Sequence, residues 1–298
     1  MQGFFEFISS EYAIHILILI SMYLIVAQGL NLTLGLGRLF NLAHVASFAL
    51  GSYATALMAV DVGSGFWVCV LVSMLLSGLF SVLLGGISLR LSQDYFAIGT
   101  LAFSSVVSSL LINWKSLTRG VLGIPGIPRP ELFAIDFYSN YNFLCLIAVA
   151  AAVVMVVCYW LHKGSFGRVL RAQAEYDEAA MAVGHDTGLV RNMAFLASSA
   201  TAGLAGSFFA YYMNYIDPSS FSLNEMVFVL TIVVVGRPGS FWGVTLATIF
   251  LVLLPEPLRF IEIDSAYLGP GRQLLQALVL FSVVFLNRRN LFPPQREV

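Results

Sequence analysis

Long apolar stretches separated by short polar connections run along almost the whole chain. Most stretches approach or exceed about 20 residues, the helical length needed to cross a hydrocarbon core about 30 Å thick. Nine such stretches are predicted: 12–34, 39–60, 66–89, 95–113, 141–161, 189–214, 222–236, 240–258 and 272–287. The pattern therefore predicts an all-α polytopic membrane protein with about eight to ten transmembrane helices.

Two of the nine stretches depart from a simple transmembrane pattern. Residues 39–60 are rich in Asn, His, Ser and Gly, and residues 222–236 are short for a crossing. We expect a broken or re-entrant helix at either position.

Composition supports one large membrane domain spanning residues 1–298. Charged residues make up 10% of the chain and hydrophobic residues 59%, whereas a soluble domain carries about 25% charged residues. Stretch 12–34 has no preceding Lys or Arg and is too long for the core of a cleaved leader, so it is predicted to be retained. A net charge of −1 with scattered basic residues gives no basic surface for nucleic acid.

The distribution of Lys and Arg predicts the orientation, because cytoplasmic connections are enriched in them. With nine crossings and the C-terminus inside, ten of the 15 basic residues are cytoplasmic, and the N-terminus lies in the periplasm. The cytoplasmic set is Arg38, Arg90, Lys163, Arg168, Arg171, Arg191, Arg237, Arg288, Arg289 and Arg296. The outer set is Lys115, Arg119, Arg129, Arg259 and Arg272. Residues 114–140 then form an external loop.

Motifs for enzymatic chemistry are absent from the sequence. No GxxxxGK[S/T] loop occurs, so we expect ATP to be bound and hydrolysed by partner subunits and no cofactor to be bound by this chain. Neither HExxH nor a nucleophile motif is present, and the three cysteines form no CxxC pair. The sequence therefore predicts neither a metal site nor an enzyme.

Polar residues inside the apolar stretches are candidates for lining a translocation path. An unpaired polar group in hydrocarbon is costly, so each needs a partner or a wet cavity, and hydrogen bonding between helices is the alternative role. The candidates are Gln28, Asn31, Asn41, His44, Thr100, Ser104, Ser105, Ser108 and Asn113. Glu225 and Glu256 lie near helix ends, where solvated or paired roles are expected, although buried acids would suit a stand-alone, ion-coupled carrier.

The longest cytoplasmic connection, residues 162–188, carries the most specific local signal. Glu178, Ala179 and Ala180 precede Gly184 in the pattern EAA...G, the signature of ATP-binding cassette (ABC) importer permeases. Such a segment favours a short helix of small residues closed by glycine and docked into a groove of another protein. A solvated amphipathic loop helix is the alternative.

The chain from about residue 28 to 292 resembles the branched-chain amino acid ABC permeases of the LivM/LivH type, and is closer to LivM. The resemblance is carried by GLNLTLGLGRLFNLAHVASFALGSYATAL at 29–57, DYFAIGTLAF at 94–103, NWKSLTRGVLGIPGIP at 113–128 and FGRVLRAQAEYDEAAMAVGHD at 166–186. It continues with AFLASSATAGLAGSFFAYYMNYIDPSSFS at 194–222 and GSFWGVTLATIFLVLLPEPLR at 239–259. Arg237 and Pro238 depart from it, because the family has a more glycine-rich turn there.

The resemblance implies a fold of the type II ABC importer kind within a heteromeric importer. A second permease subunit, two cytoplasmic ATPases and a periplasmic binding protein would complete the assembly in the lipid bilayer. Glu178, Ala179, Ala180 and Gly184 would couple this chain to the ATPases, and the resemblance places Asn41 and His44 in a motif. Because the family also includes urea and short-chain amide permeases, those solutes are alternative substrates.

Overall fold

The computed structural model describes residues 11–88, 93–132, 135–260 and 265–291. Twelve α-helices lie in these ranges, three of them with 11 residues or fewer. The helices before the large loop are α1 Glu11–Leu30, α2 His44–Val60, α3 Phe66–Ser88, α4 Gln93–Asn113 and α5 Lys115–Thr118. Those after it are α6 Asn140–Lys163, α7 Ser165–Glu175, α8 Asp177–Ala182, α9 Thr187–Met213, α10 Leu223–Val235, α11 Phe241–Leu253 and α12 Ser265–Leu291.

The predicted fold class is confirmed. Within the described residues, seven helices are long and apolar enough to cross a membrane, and α2 and α10 are shorter apolar helices. Together they correspond to the nine predicted stretches, with the two doubtful ones being the short helices. At 17 and 13 residues, α2 and α10 rise about 25 and 20 Å, less than a hydrocarbon core of about 30 Å.

One boundary prediction was wrong. The stretch predicted to begin at 39 becomes helical only at His44, after α1 has ended in a π-helical turn, Asn31–Leu36. Asn41 Oδ1 accepts a hydrogen bond from the Ala43 amide at 3.1 Å, so its side chain stabilises the turn that precedes α2. Asn readily forms such local bonds, which compete with helix formation.

Helix α9 is the centre of the bundle and packs along α2 and α3. A Cβ atom added to Gly51 of α2 would lie 2.5 Å from the Cα of Gly203 in α9, so the two backbones touch. Ser73 of α3 donates a hydrogen bond from Oγ to the Gly203 carbonyl oxygen at 2.6 Å. Small residues and hydroxyl bonds of this kind hold helices together where lipid offers no hydrophobic drive to associate.

The connections between helices form two opposite faces. We call residues 61–65, 114–139 and 214–222 the cap face, and residues 37–43, 164–186 and 236–240 the module face. His15 Nδ1 near the start of α1 hydrogen-bonds Tyr212 Oη at 2.6 Å, and Tyr212 is next to the last residue of α9 at the cap face. With nine crossings the start of α1 lies at the cap face and the end of α12 at the module face.

The cap face has ordered structure that ties the 114–140 loop to the helices. Strand β1, Ile124–Pro125, pairs antiparallel with β4, Tyr215–Ile216, directly after α9. Strands β2, Glu131–Leu132, and β3, Ile135–Asp136, form a second small antiparallel pair. An ion pair at 3.0 Å between Arg119 and Asp61 joins the loop to the end of α2.

Candidate functional site

The segment between α6 and α9 folds as a compact helical module, residues 164–186. Helix α7 follows α6 after one extended residue, Gly164, and its Leu170 is fully buried. A Cβ atom on Gly167 would lie 2.5 Å from the carbonyl oxygens of Leu161 and His162, so α7 packs directly on the end of α6. A larger residue at 167 would force the two helices apart.

Arg171 fastens the same junction by hydrogen bonds. Its Nη2 donates to the His162 carbonyl oxygen at 3.0 Å, and its Nε donates to the Gly167 carbonyl oxygen at 3.1 Å. The bond to His162 satisfies a carbonyl at the C-terminal end of α6, where the helix dipole also favours a cation. Helix α7 is therefore held to α6 by packing and by charge.

The EAA...G residues form α8 and its C-terminal cap. Glu178 and Ala179 are exposed, whereas Ala180 is buried against the module. The Gly184 amide donates to the Met181 carbonyl at 2.9 Å, and the His185 amide donates to the Ala180 carbonyl at 3.2 Å. With Gly184 at a φ of +89°, this is a Schellman cap, the structure that glycine favours.

The ends of the module are joined to α9. Asp186 is the N-cap of α9 and accepts from the Leu189 amide at 2.9 Å. Arg191 in the second turn of α9 donates from Nη2 to Asp177 Oδ2 at 2.6 Å, which ties the start of α8 to α9. The module is therefore connected to two long helices, α6 on one side and α9 on the other.

The outer surface of the module combines apolar and acidic side chains. Tyr176 is 64% exposed, Met181 50% and Val183 78%. Glu175 and Glu178 are exposed beside them. Clustered exposed apolar residues next to charges are typical of a surface that another protein covers.

Three of the predicted path residues form hydrogen bonds to neighbouring elements of the bundle. Gln28 donates from Nε2 to the Phe241 carbonyl and to Thr245 Oγ1, both at 2.9 Å. Asn31 Oδ1 accepts from the Gly239 amide at 2.9 Å. His44 contacts the Val26 carbonyl through Nε2 at 3.0 Å and Ser198 Oγ through Nδ1 at 3.2 Å. All three side chains are buried.

The remaining candidates divide between buried and open positions. Thr100 is buried and accepts from the Leu42 amide at 3.1 Å, while the buried Asn41 stabilises its own turn as described above. Ser104 is half-buried, and Asn113 is exposed at the end of α4 with Nδ2 bonded to the Ser109 carbonyl. Ser105 and Ser108 also lie along α4, exposed and half-buried respectively. Whether any of them lines a path stays a prediction.

The backbone amide and carbonyl of Gly239 join three elements at the module face. Its amide binds Asn31 at the start of the π-turn, and its carbonyl accepts from His162 Nε2 at 2.7 Å near the end of α6. Gly35 approaches so closely that a Cβ there would clash with the Gly239 nitrogen. Helices α1, α6 and α11 therefore meet at one residue, Gly239.

A pair of cavities that sequence reasoning missed opens near the cap face. The larger, about 680 Å³, lies between α1, α10, α11 and α12, and its lining includes Glu225, Glu256 and Arg272. Tyr23 of α1 donates from Oη to Glu225 Oε1 at 2.7 Å. Glu225 was recognised in sequence as an acid beside an apolar stretch, but tyrosine is ordinary in an apolar helix, so Tyr23 gave no signal. None of the predicted path residues lines this cavity.

Metal binding has no support in the part of the chain that the structure describes. No group of three or more His, Cys, Asp or Glu side chains there is arranged to hold an ion.

Comparison with known proteins shows the family. The sequence model of the protein family described as "branched-chain amino acid transport system / permease component" matches residues 12–286 of this chain. The chain belongs to this family. The high-affinity branched-chain amino acid transport system permease protein LivM of Escherichia coli K12 is 35% identical over 287 residues, which cover 88% of this chain and 68% of that protein.

Two further relatives place the chain within the family. The high-affinity branched-chain amino acid transport system permease protein LivH of Escherichia coli K12 is 24% identical over 285 residues, 89% of each chain. A probable LivM of Methanocaldococcus jannaschii is 28% identical over 225 residues, 72% of this chain and 64% of that protein. No solved structure matches this chain. The predicted family and the greater similarity to LivM are confirmed.

Proposed function

We propose that this chain is the LivM-like permease subunit of an ABC importer and forms the translocation path for branched-chain amino acids. Its family membership and its similarity to the two LivM proteins support the transport role and the substrate class. The observation that carries the proposal is the module surface, where EAA...G forms a short helix with Glu178 and Ala179 exposed. That surface gives a motor subunit a place to bind.

The motor is a pair of ATPase subunits that dock on the module face. The chain has no phosphate-binding loop, so ATP hydrolysis belongs to those partners and this chain carries no cofactor. Exposed Glu175 and Glu178 beside Tyr176 and Val183 suit a groove that is apolar inside and basic at its rim. A second permease subunit and a periplasmic binding protein complete the importer.

The distribution of basic residues supports a cytoplasmic module face. The chain then lies in the inner membrane of a bacterial cell. Cytoplasmic connections are enriched in Lys and Arg. Basic residues at or next to the module face within the described ranges are Arg38, Lys163, Arg168, Arg171, Arg191, Arg237, Arg288 and Arg289, against Lys115, Arg119, Arg129, Arg259 and Arg272 at or near the cap face. This orientation puts the N-terminus in the periplasm and the C-terminus in the cytoplasm.

Contacts within the module provide a route for force. Movement of α8 acts on α9 through the Asp177–Arg191 ion pair, and α7 acts on α6 through Arg171. From the end of α6 the displacement reaches α1 and α11, because His162 binds the carbonyl of Gly239 and Asn31 binds the amide of the same residue. Closure of the ATPase dimer would thus tilt the helices that surround the path and switch access between the two faces.

Reversing the charge of Glu178 tests the proposal. In proteoliposomes that contain the complete importer, Glu178→Lys should abolish ATP-driven leucine uptake and co-purification of the ATPases, while the protein still inserts into the membrane. Glu11→Lys is the matched control, since Glu11 is an exposed acid at the other end of the bundle, and its uptake should be unchanged. Normal uptake in Glu178→Lys would contradict the docking assignment.

A second experiment separates the importer from the other candidates. The purified chain in liposomes, without ATP or partners, should carry no leucine under a proton or sodium gradient. Transport under a gradient alone would identify a secondary carrier. ATP-driven uptake of urea or acetamide in place of leucine by the complete importer would assign the chain to the amide-transporting members of the family.

A further inference from the structure

The larger cavity near the cap face brings opposite charges into the membrane part of the bundle. Glu225 lies in the first turn of α10, and Arg272 lies in the cap-side half of α12. Both line the same space of about 680 Å³, together with Asn224, Gln273 and Gln276. Glu256 also lines it but already has another interaction within the chain. Ionisable side chains in a membrane segment are costly, and they commonly mark the route of a polar solute.

Glu225 is held in position by a partner on another helix. Its Oε1 accepts a hydrogen bond from the Tyr23 hydroxyl at 2.7 Å, which fixes the orientation of the carboxyl group. Oε2 is then the oxygen that would accept from an ammonium group in the cavity. Tyr23 is itself fixed by an edge contact with Phe228, whose ring centre lies 5.0 Å away.

The rest of the cavity wall is largely aliphatic and aromatic. Leu19, Val252, Leu280 and Phe281 contribute to it. A volume of about 300–1,000 Å³ is usual for sites that enclose a small ligand. A ligand matched to this lining would carry one positive group, one negative group and an apolar body.

The cavity does not end at Glu225. A second space of about 260 Å³ shares Leu19, Tyr23 and Glu225 with the first and reaches Phe48 of α2 and Phe209 of α9. The Tyr23–Glu225 pair therefore stands between a compartment at α12 and one inside the bundle. A pair in that position can control passage from one to the other.

We propose that this cavity is an amino-acid binding site inside the permease, where Glu225 receives the α-ammonium group and Arg272 the α-carboxylate of the substrate. Leu19, Val252 and Phe281 then contact the aliphatic side chain. The inference rests on the proposed function and adds a recognition site to it. The permease itself selects zwitterions, in addition to any selection by a binding protein.

Charge-neutral variants in the complete importer give the first test. Glu225→Gln and Arg272→Gln should each lower leucine uptake about tenfold or more, because a hydrogen bond to a charged ligand group is lost. Stimulation of ATP hydrolysis by the leucine-loaded binding protein should persist. Asp61→Asn and Arg119→Gln are matched controls, since they break a carboxylate–guanidinium pair at the cap face outside the cavity, and their uptake should be unchanged.

Protection of a cavity thiol from labelling tests binding directly. Leucine would not change the labelling rate if Glu225 and Arg272 had only a structural role. In a Cys145→Ser background, which removes the exposed cysteine, Gln276→Cys places a thiol in the cavity wall. Leucine should slow its reaction with a methanethiosulfonate reagent, whereas 4-methylpentanoate, which lacks the ammonium group, and 3-methylbutylamine, which lacks the carboxylate, should not. Adding Glu225→Gln should remove the protection by leucine.

The outcomes separate this site from the proposed function. Equal uptake loss in Glu225→Gln and Asp61→Asn, or no protection by leucine at millimolar concentration, would overturn the site while leaving an ATP-driven leucine importer intact. Absence of leucine uptake by the wild-type importer would instead overturn the proposed function. Protection by leucine that both analogues reproduce would show an apolar pocket without zwitterion recognition and would also overturn the site.

Discussion

Asp177 and Arg191 form an ion pair at 2.6 Å that joins the first residue of α8 to the second turn of α9. The Arg191 side chain is 18% exposed and that of Asp177 35%, so the pair is partly shielded from water. Of the two salt bridges found in the described residues, this one links α8 to α9, the central helix of the bundle. In our account it carries the motion of α8 into the membrane.

Charge reversal at this pair should separate coupling from folding. Asp177→Arg or Arg191→Asp alone should reduce ATP-driven leucine uptake strongly, because like charges then push α8 away from α9. Combining the two reversals should restore most of the uptake. Each single change is expected to cost about 1 kcal/mol of stability, the upper range for exposed pairs.

A double-mutant cycle on uptake and on thermal unfolding in detergent measures this coupling. Additive losses in the double variant, with no recovery of uptake, would show that the ion pair does not transmit movement.

Gly184 should be required for its backbone conformation and not for space. Its φ is +89°, and a Cβ there would meet no atom within 4 Å. Gly184→Ala should therefore destabilise the module by about 1 kcal/mol through strain alone. Gly86→Ala is the control, because that position in α3 is equally open but helical, and it should be neutral or slightly stabilising.

Thermal unfolding of the two variants in detergent checks this prediction. Equal melting temperatures for Gly184→Ala and Gly86→Ala would contradict the Schellman cap as the reason for glycine at this position.

Replacing Arg237 by glycine is expected to stabilise the protein. It has a φ of +64° in the turn between α10 and α11, and left-handed conformations cost non-glycine residues about 1–2 kcal/mol. Arg237→Gly should raise the melting temperature, with a net gain of about 0.5–1 kcal/mol after the added chain entropy of glycine. Arg168→Gly, on an exposed position in the middle of α7, should lower it by a similar amount.

The opposite signs make the comparison sharp. A lower melting temperature for Arg237→Gly would mean that the arginine side chain contributes more than the strain removes.

The turn that Asp217 caps at the cap face, Pro218–Phe221, is expected to lose stability in acid. Partial burial raises the pKa of Asp217, but hydrogen bonds from Ser220 and Ser219 outweigh it and lower the pKa below its usual value. Because the folded pKa is the lower one, the stabilisation is complete above the unfolded value of about 3.9 and is lost as the pH falls through the folded pKa. Asp217→Ala should cost about 1 kcal/mol at neutral pH, as expected for loss of an N-cap.

Unfolding of wild type and Asp217→Ala over a pH series gives the check. The difference between them should shrink as the pH falls. A difference that stays constant into strong acid would show that the carboxylate charge does not stabilise the turn.

The sequence predicted the helices well because each crossing is a local property of about 20 consecutive residues. The start of α2 was predicted too early, because the Asn41 side chain stabilises the turn before the helix and hydropathy does not detect such a bond. The EAA...G helix was recognisable because glycine marks its cap. The Tyr23–Glu225 pair was not, since 202 residues separate its members and no local pattern relates them.

The predicted path residues show the same limit. Gln28, Asn31 and His44 were selected because they are polar in apolar stretches, and that criterion does not distinguish a side chain facing a cavity from one that binds another helix. Their partners Phe241, Gly239 and Ser198 lie far along the chain. Only the folded arrangement shows which polar residues already have partners.

The central claim is that the module face is cytoplasmic, and cysteine labelling on intact cells tests it most directly. In a Cys145→Ser background, Val183→Cys in the module and Val121→Cys in the cap are matched probes, at 78% and 71% exposure. A membrane-impermeant maleimide should label position 121 in spheroplasts and position 183 only after the membrane is permeabilised. Labelling of position 183 in intact spheroplasts would place α8 outside the cell and contradict the account.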